Sequence, residues 1–263
     1  MIGIGVHVAI NSIRYIALEG SSILRAVEKK LTPESTAWHI LKDIKNEVGN
    51  KGIFTVPAPG LFGRLMEFEK EEDIPLLLEE NLPDNGEIFK FSAQKLGNEV
   101  FVAGAFKSDL LGYYGVIKRS GFEPLALDIT IFSALYAILI NYPEQRVRDF
   151  VLLHRDKNLV SLIFLVGGKP SLVVSYPGNN NEEERLFSIL TELSEVLIRG
   201  HYDLLISGEV ADKIYLYKKL AEELEIDVEV VNPFRRLQME SEVENPSLFT
   251  ASVGAALRAS NYA

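Results

Sequence analysis

Two stretches of this chain are built alike: "GVHVAINSIRYIAL" from Gly5 and "VLLHRDKNLVSLIFL" from Val151. Each is an apolar, β-branched run, a tight turn and a second such run, which is the pattern of a β-hairpin. The turns fall at "AIN" in the first and "RDKN" in the second. Each hairpin is followed by a third strand-like run, "SILRAVEKKL" or "KPSLVVSYP", and then by helical patterns. The same device opening both halves of a chain predicts two lobes of like topology facing each other across a cleft.

The remaining elements fit that plan. "TPESTAWHILKDIKNEV" reads as a helix capped by Thr32 or Ser35, with Trp38, Leu41, Ile44 and Val48 as its apolar stripe. "GIFTVPAP" is a short buried strand ended by prolines. From Leu61 to Gly121 the order strand, helix, strand, strand, helix ("RLMEFE", "EEDIPLLLEENL", "GEIFKFSAQ", "NEVFVAGAF", "SDLLGYYGVIKRSG") reads as a subdomain inserted into the first lobe. In the second half, "NNNEEERLFSILTELSEVLIRG" is a helix whose acidic first turn suits the helix dipole. "DLLISGE", "VADKIYLYKKLAEEL" and "IDVEVVNPF" form a strand–helix–strand unit of the kind that builds parallel pairing. "PSLFTASVGAALRA" closes the chain as an Ala-rich helix.

The expected boundaries are 1–60 with 122–148 for the first lobe, 61–121 for the insert and 149–246 for the second lobe. The segment 247–263 forms a helix returning to the first lobe, with Leu248, Val253 and Leu257 facing it.

Composition narrows the function. The formal net charge of −10 argues against nucleic acid, which asks for clustered Lys and Arg. The absence of cysteine excludes disulfides, thiolate zinc sites and a cysteine nucleophile. No apolar run reaches the roughly 18 residues a spanning helix needs. The longest candidate, "ALDITIFSALYAILI", contains Asp128 and reads as a strand leading into a buried helix. No basic region precedes an apolar run at the N-terminus, so no signal peptide is expected and the chain is placed in the cytoplasm.

With these elements in order, the chain resembles the actin-like ATPase superfamily, and within it the PilM proteins of type IV pilus assembly. "GVHVAINSIRYIAL" is similar to that family's first phosphate hairpin, with Ser12, Ile13 and Arg14 in its Ser-Ile-Lys places. "GFEPLALDITIFSALYAI", "VNPF" and "FTASVGAALRA" resemble its lobe-connecting and closing segments. The insert resembles the small subdomain that PilM shares with FtsA. GspL of type II secretion is the related alternative, and its chain would continue past Ala263 into a membrane helix. The resemblance implies an α/β, two-lobed actin-like (ribonuclease H-like) fold with an α+β insert and a reduced second lobe.

The departures from that pattern concern the nucleotide site. Active members of the family begin each phosphate hairpin with an Asp for magnesium and place a glycine two residues later, where a Cβ would block the backbone donors. Here those places fall on His7 and Ala9 in the first hairpin and on His154 and Asp156 in the second. The adenine-side Ser-Gly-Gly becomes "SGE", with Glu209 where a triphosphate prefers no carboxylate. An imidazole is a poor magnesium ligand beside phosphate, and Asp156 would repel the anion it should cradle. Only one helix separates "SYPGNN" from "DLLISG", where PilM has a further subdomain.

A degenerate nucleotide site is therefore expected, with no catalytic residue, no cofactor and no metal. The ordinary reading of His7 is a packed histidine. With His154 it forms a facing pair, for which the sequence points to no third metal ligand. The function expected is a non-catalytic scaffold of a pilus or related secretion platform, peripheral to the inner membrane. By resemblance it binds the cytoplasmic tail of a single-pass, PilN-like partner in a groove between first lobe and insert, drawing on "FTVPAP". The competing class is an active small-molecule kinase or ATPase. It would need a cleft acid, and the nearby Asp128, Asp156 and Glu209 all stand off-motif.

Overall fold

The computed structural model describes residues 2–70, 72, 88–178, 181–196, 202–240 and 242–262. The helix expected over "EEDIPLLLEENL" lies outside them apart from Glu72. The first half contains β1 (Ile2–Val8), β2 (Ser12–Glu19), β3 (Ser22–Lys30), α1 (Ala37–Val48) and β4 (Lys51–Val56). Next come β5 (Phe62–Glu67), β6 (Phe89–Leu96), β7 (Glu99–Phe106) and α2 (Lys107–Arg119), followed by β8 (Glu123–Ile129) and α3 (Thr130–Asn141). The second half contains β9 (Phe150–Asp156), β10 (Leu159–Val166), β11 (Lys169–Pro177), α4 (Glu182–Val196), β12 (Asp203–Gly208), α5 (Ile214–Glu223) and β13 (Asp227–Val230). The two-residue β14 (Gln238–Met239) and α6 (Thr250–Ala259) complete it.

The duplication foreseen from the hairpins is present in the sheets. One sheet runs β3-β2-β1-β4-β8 and the other β11-β10-β9-β12-β13, in each case three antiparallel strands followed by two parallel ones. The turns are short because the hairpins need no more. Asp156 and Leu159 pair across a two-residue turn in which Lys157 takes φ 50°. Gly167 and Gly168, at φ 56° and 77°, make the next turn in a backbone region closed to most side chains.

The insert departs from a simple lobe boundary. Its strands β5, β7 and β6 continue the second lobe's sheet beyond β11, with Phe62, Gly63 and Arg64 opposite Val174, Val173 and Leu172. Gly63 makes this approach possible, since a Cβ there would lie 2.5 Å from the Val102 carbonyl oxygen and 2.8 Å from Val173. The strand adjoins the first lobe in sequence but is hydrogen-bonded to the second.

Two helices between the sheets join the lobes by exchange. α3 follows the first lobe's last strand, yet Ile131, Ala134 and Ile138 pack with Phe150, Leu152, Ile163 and Leu205 of the second sheet. α6 follows the second lobe but packs on the first sheet. Its Val253 and Ala256 meet Ile16 and Leu18, with Leu248 and Leu257 partly buried in the same cluster. Small residues make the fit close, because a Cβ on Gly254 would lie 1.8 Å from the Ser133 carbonyl oxygen of α3 and one on Gly5 2.1 Å from that of Ser252.

α1 differs in detail from its pattern. It starts after Thr36, while the Thr32 hydroxyl accepts from the Ser35 N–H in the preceding loop. Ile40, Leu41 and Ile44 are buried, whereas Trp38 is half-exposed because its indole N–H reaches out to the Arg119 carbonyl at 3.1 Å.

The crossing of α3 and α6 gives a stability prediction. Gly254→Ala should lower stability by about 2–3 kcal/mol, the scale of overpacking a tight core, read as a lower urea midpoint at unchanged slope. Gly112→Ala, on the exposed face of α2 with nothing within 4 Å of the added carbon, should instead gain up to about 1 kcal/mol.

Candidate functional site

β1 and β9 hold equivalent places in their sheets, so their ends meet at the seam between the lobes. His7, at the end of β1, directs Nε2–H to Asp156 Oδ2 at 3.0 Å. The His7 and His154 rings stand 5.8 Å apart at 62°, and His154 Nε2 is 3.8 Å from Asp156 Oδ1. All three residues are buried. The Ser207 hydroxyl of β12 donates to the Leu153 carbonyl at 3.4 Å, which leaves its oxygen to accept from His154 Nδ1–H at 2.8 Å. Thr130 Oγ1 lies 3.4 Å from His7 Nε2.

Arg14 binds this cluster together. It stands opposite His7 on β2, and its side chain is fully buried. Nε donates to Glu28 on β3 at 2.9 Å, Nη2 to Glu209 at 2.5 Å, and Nη1 approaches Asp156 Oδ1 to 3.7 Å. Glu209 is aimed by a sharp corner in which Gly208 takes φ 86° and the Glu209 N–H bonds the Arg155 carbonyl at 2.8 Å. Burial alone would raise the Asp156 carboxyl, but the neighbouring His7, through its hydrogen bond, and the nearby His154 ring hold it well below the usual carboxylate range. Burial, with the Arg14 charge adding to it, pushes the His7 imidazole down against the pull of Asp156. Asp156 is thus hydrogen-bonded by His7 Nε2–H, with the Arg14 guanidinium standing off at 3.7 Å.

His7, His154, Asp156 and Glu209 therefore converge, with Ala9 buried in the loop just past β1. Asp128 stands elsewhere, its carboxylate taken by Ser133 Oγ at 2.8 Å and by Arg258 of α6. The sequence reading placed Arg14 in a hairpin motif but missed its role at the centre of the network, and it missed Glu28, Thr130 and Ser207 altogether. A lone arginine inside the apolar run "SIRYIAL" was the available signal, since a buried guanidinium demands carboxylate partners.

A second feature lies between the insert and the first lobe. A groove of about 570 Å³ runs between β6 and β7 on one side and β8 and α3 on the other. Its floor is apolar, with Phe101, Leu110, Leu127, Phe132, Leu135 and Leu139, while Lys90, Ser92 and Gln94 of β6 and the Asp128–Arg258 pair contribute polar groups. "FTVPAP" does not line it. β8 is the edge strand of the first sheet and stands between β4 and the groove.

No family model and no curated protein matches the sequence. Solved structures do match the fold. A chain of the PilM-PilN type IV pilus biogenesis complex superposes with a TM-score of 0.74 at 18% identity, covering 98% of each chain. An actin-like ATPase-fold protein of unknown function from Bacteroides thetaiotaomicron gives 0.58 at 15%, over 88% of this chain and 91% of that one. The cytoplasmic domain of EpsL, an inner membrane component of the type II secretion system of Vibrio cholerae, gives 0.55 at 12%, over 100% and 96%. The chain thus has the two-lobed actin-like fold. Within that class its architecture is like that of the pilus biogenesis protein over nearly its whole length, as the sequence resemblance implied.

The buried guanidinium makes the cluster sensitive to a single change. Arg14→Leu removes the cation between Glu209, Asp156 and Glu28, leaving Glu28 its Lys30 and Asp156 its His7, and should cost about 3 kcal/mol or more in urea unfolding, because breaking a buried pair strands its partners. A loss under about 1 kcal/mol would mean that water screens these pairs as it does surface ones.

Proposed function

We propose that this chain is a non-catalytic actin-like scaffold of a type IV pilus or related secretion assembly platform, binding the cytoplasmic tail of a PilN-like inner-membrane partner. The observation that carries the reading is the apolar groove between the insert and α3, open beside a cleft already filled by the protein's own ion pairs. Its floor suits apolar anchor residues of an extended or helical peptide, the recognition mode in which side-chain pockets supply specificity. With a net charge of −10, the protein favours a tail that is basic or neutral where it enters. Such a chain sits in the cytoplasm and is peripheral to the membrane through its partner. The likeness to a chain of the PilM-PilN type IV pilus biogenesis complex supports this choice over other uses of the fold.

The cleft does not fit a magnesium nucleotide. Both positions where an acid would hold the ion's water shell present imidazoles, and Asp156 and Glu209 put carboxylate where phosphate would lie. Arg14, a buried cation of the cleft, is bonded to Glu28 and Glu209. Titration with ATP and magnesium is therefore expected to give no heat and no rise in melting temperature. Low-micromolar binding, which would raise it at excess ligand, would instead favour an active kinase or ATPase.

The groove is tested separately. Hydrogen exchange with a synthetic N-terminal tail of the PilN-like protein from the same genome should show protection centred on β6, β7 and α3. Leu135→Glu should weaken that tail's binding at least tenfold, read by fluorescence anisotropy, by placing a carboxylate on the apolar floor. Protection confined to the His7 and His154 cleft would move the binding site there.

A further inference from the structure

The cleft supplies the ligand that the histidine pair lacked in the sequence. One donor atom from each of His7, His154 and Asp156 lies within 4.8 Å of the other two, and all three residues are buried. The pairwise separations of 3.0 Å (His7 Nε2 to Asp156 Oδ2) and 3.8 Å (His154 Nε2 to Asp156 Oδ1) bracket the roughly 3.3 Å between donors on a tetrahedral zinc ion. His154 Nε2 and Asp156 Oδ1 have no hydrogen-bond partner among the described residues. The bond from His154 Nδ1–H to Ser207 holds the ring with its Nε2 lone pair facing Asp156, which is how an outer-shell partner prepares a metal-binding imidazole. His7 Nδ1 is also without a partner among the described residues, so the ring proton can move there when Nε2 binds.

We propose that His7, His154 and Asp156 form a site for one divalent transition ion of the Zn²⁺ class, clamping β1 of one lobe to β9 of the other. Two imidazoles and a carboxylate suit zinc and its first-row neighbours, whereas magnesium and calcium prefer oxygen donors throughout. Three protein ligands leave the fourth position to water. The surrounding charge also suits a dication. Arg14 faces three carboxylates, of which Glu28 also has Lys30, and its short bonds go to Glu28 and Glu209 while Asp156 stands off at 3.7 Å. This inference is independent of tail binding, which uses the groove on the far side of β8.

The probe is Zn²⁺ alone, added to full-length protein stripped by a chelator. Calorimetry should give one equivalent bound, and the melting temperature should rise by about 5 °C or more at hundredfold excess over Kd, with no rise for Mg²⁺. Co²⁺ should give the visible bands of a four- or five-coordinate ion. His154→Gln keeps a side chain of similar reach but loses the imidazole donor, and should abolish both the zinc-dependent rise and the cobalt spectrum. The wild-type protein decides the matter even where that variant folds poorly, since no zinc heat and no cobalt bands overturn the proposal. A zinc response that persists in a folded His154→Gln protein also overturns it, placing the ion at another site such as His39 or His201.

Discussion

The crossing of α3 and α6 at Gly254 and Ser133 is the contact on which the rest of the molecule depends. Each helix follows one lobe in sequence and packs on the other lobe's sheet, so neither lobe has a complete core alone. Ile131, Ala134 and Ile138 close the second lobe, and Val253 and Ala256 close the first. The backbones touch where Gly254 has no Cβ, and Gly3 and Gly5 let α6 lie equally close on β1. Small residues thus set the distance between the sheets, and with it the meeting of β1 and β9 at the seam.

That meeting brings buried charge together from opposite halves of the chain. Asp156 accepts from His7 of the other lobe, with His154 of its own lobe beside it, while Arg14 reaches across to Glu209. Separating the lobes would break the His7–Asp156 bond and the Arg14–Glu209 pair together, leaving carboxylates without partners. Two kinds of force therefore hold the lobes in one arrangement. Helix exchange supplies apolar area, and the ion pairs supply a penalty for any other registration.

Much of this was legible in sequence because it is local. The duplicated hairpins, the strand leading into α3 and the Ala-rich α6 each announce themselves by period and turn chemistry. What stayed hidden depends on partners far along the chain. β14 is two residues long and exists because Gln238 and Met239 lie beside Ser22 and Ile23. The joining of β5 to β11 has no local signature, since an edge strand accepts any partner that geometry presents. The site divides in the same way. His7 and His154 were visible as a pair because they stand at equivalent hairpin positions. Asp156 read as a defect because its partner lies 149 residues away, and only the fold turns the misplaced carboxylate into the group that joins the histidines.

The two candidate regions differ in physical character, and the difference bears on their roles. The cleft is polar and buried, and its bonds tie strands from both lobes, so a change there is opposed by the whole lobe interface. The groove is apolar and open, with β6, an edge strand, along one side and the well-anchored α3 along the other. Filling it requires no rupture of an ion pair and removes exposed apolar area from water, which is the usual driving force for association. The polar groups of the cleft are set against one another, while the groove presents apolar surface. Under the proposed reading the cleft acts as a fixed joint. The joint keeps β8 and α3 in place while a partner's tail seats between them and the insert.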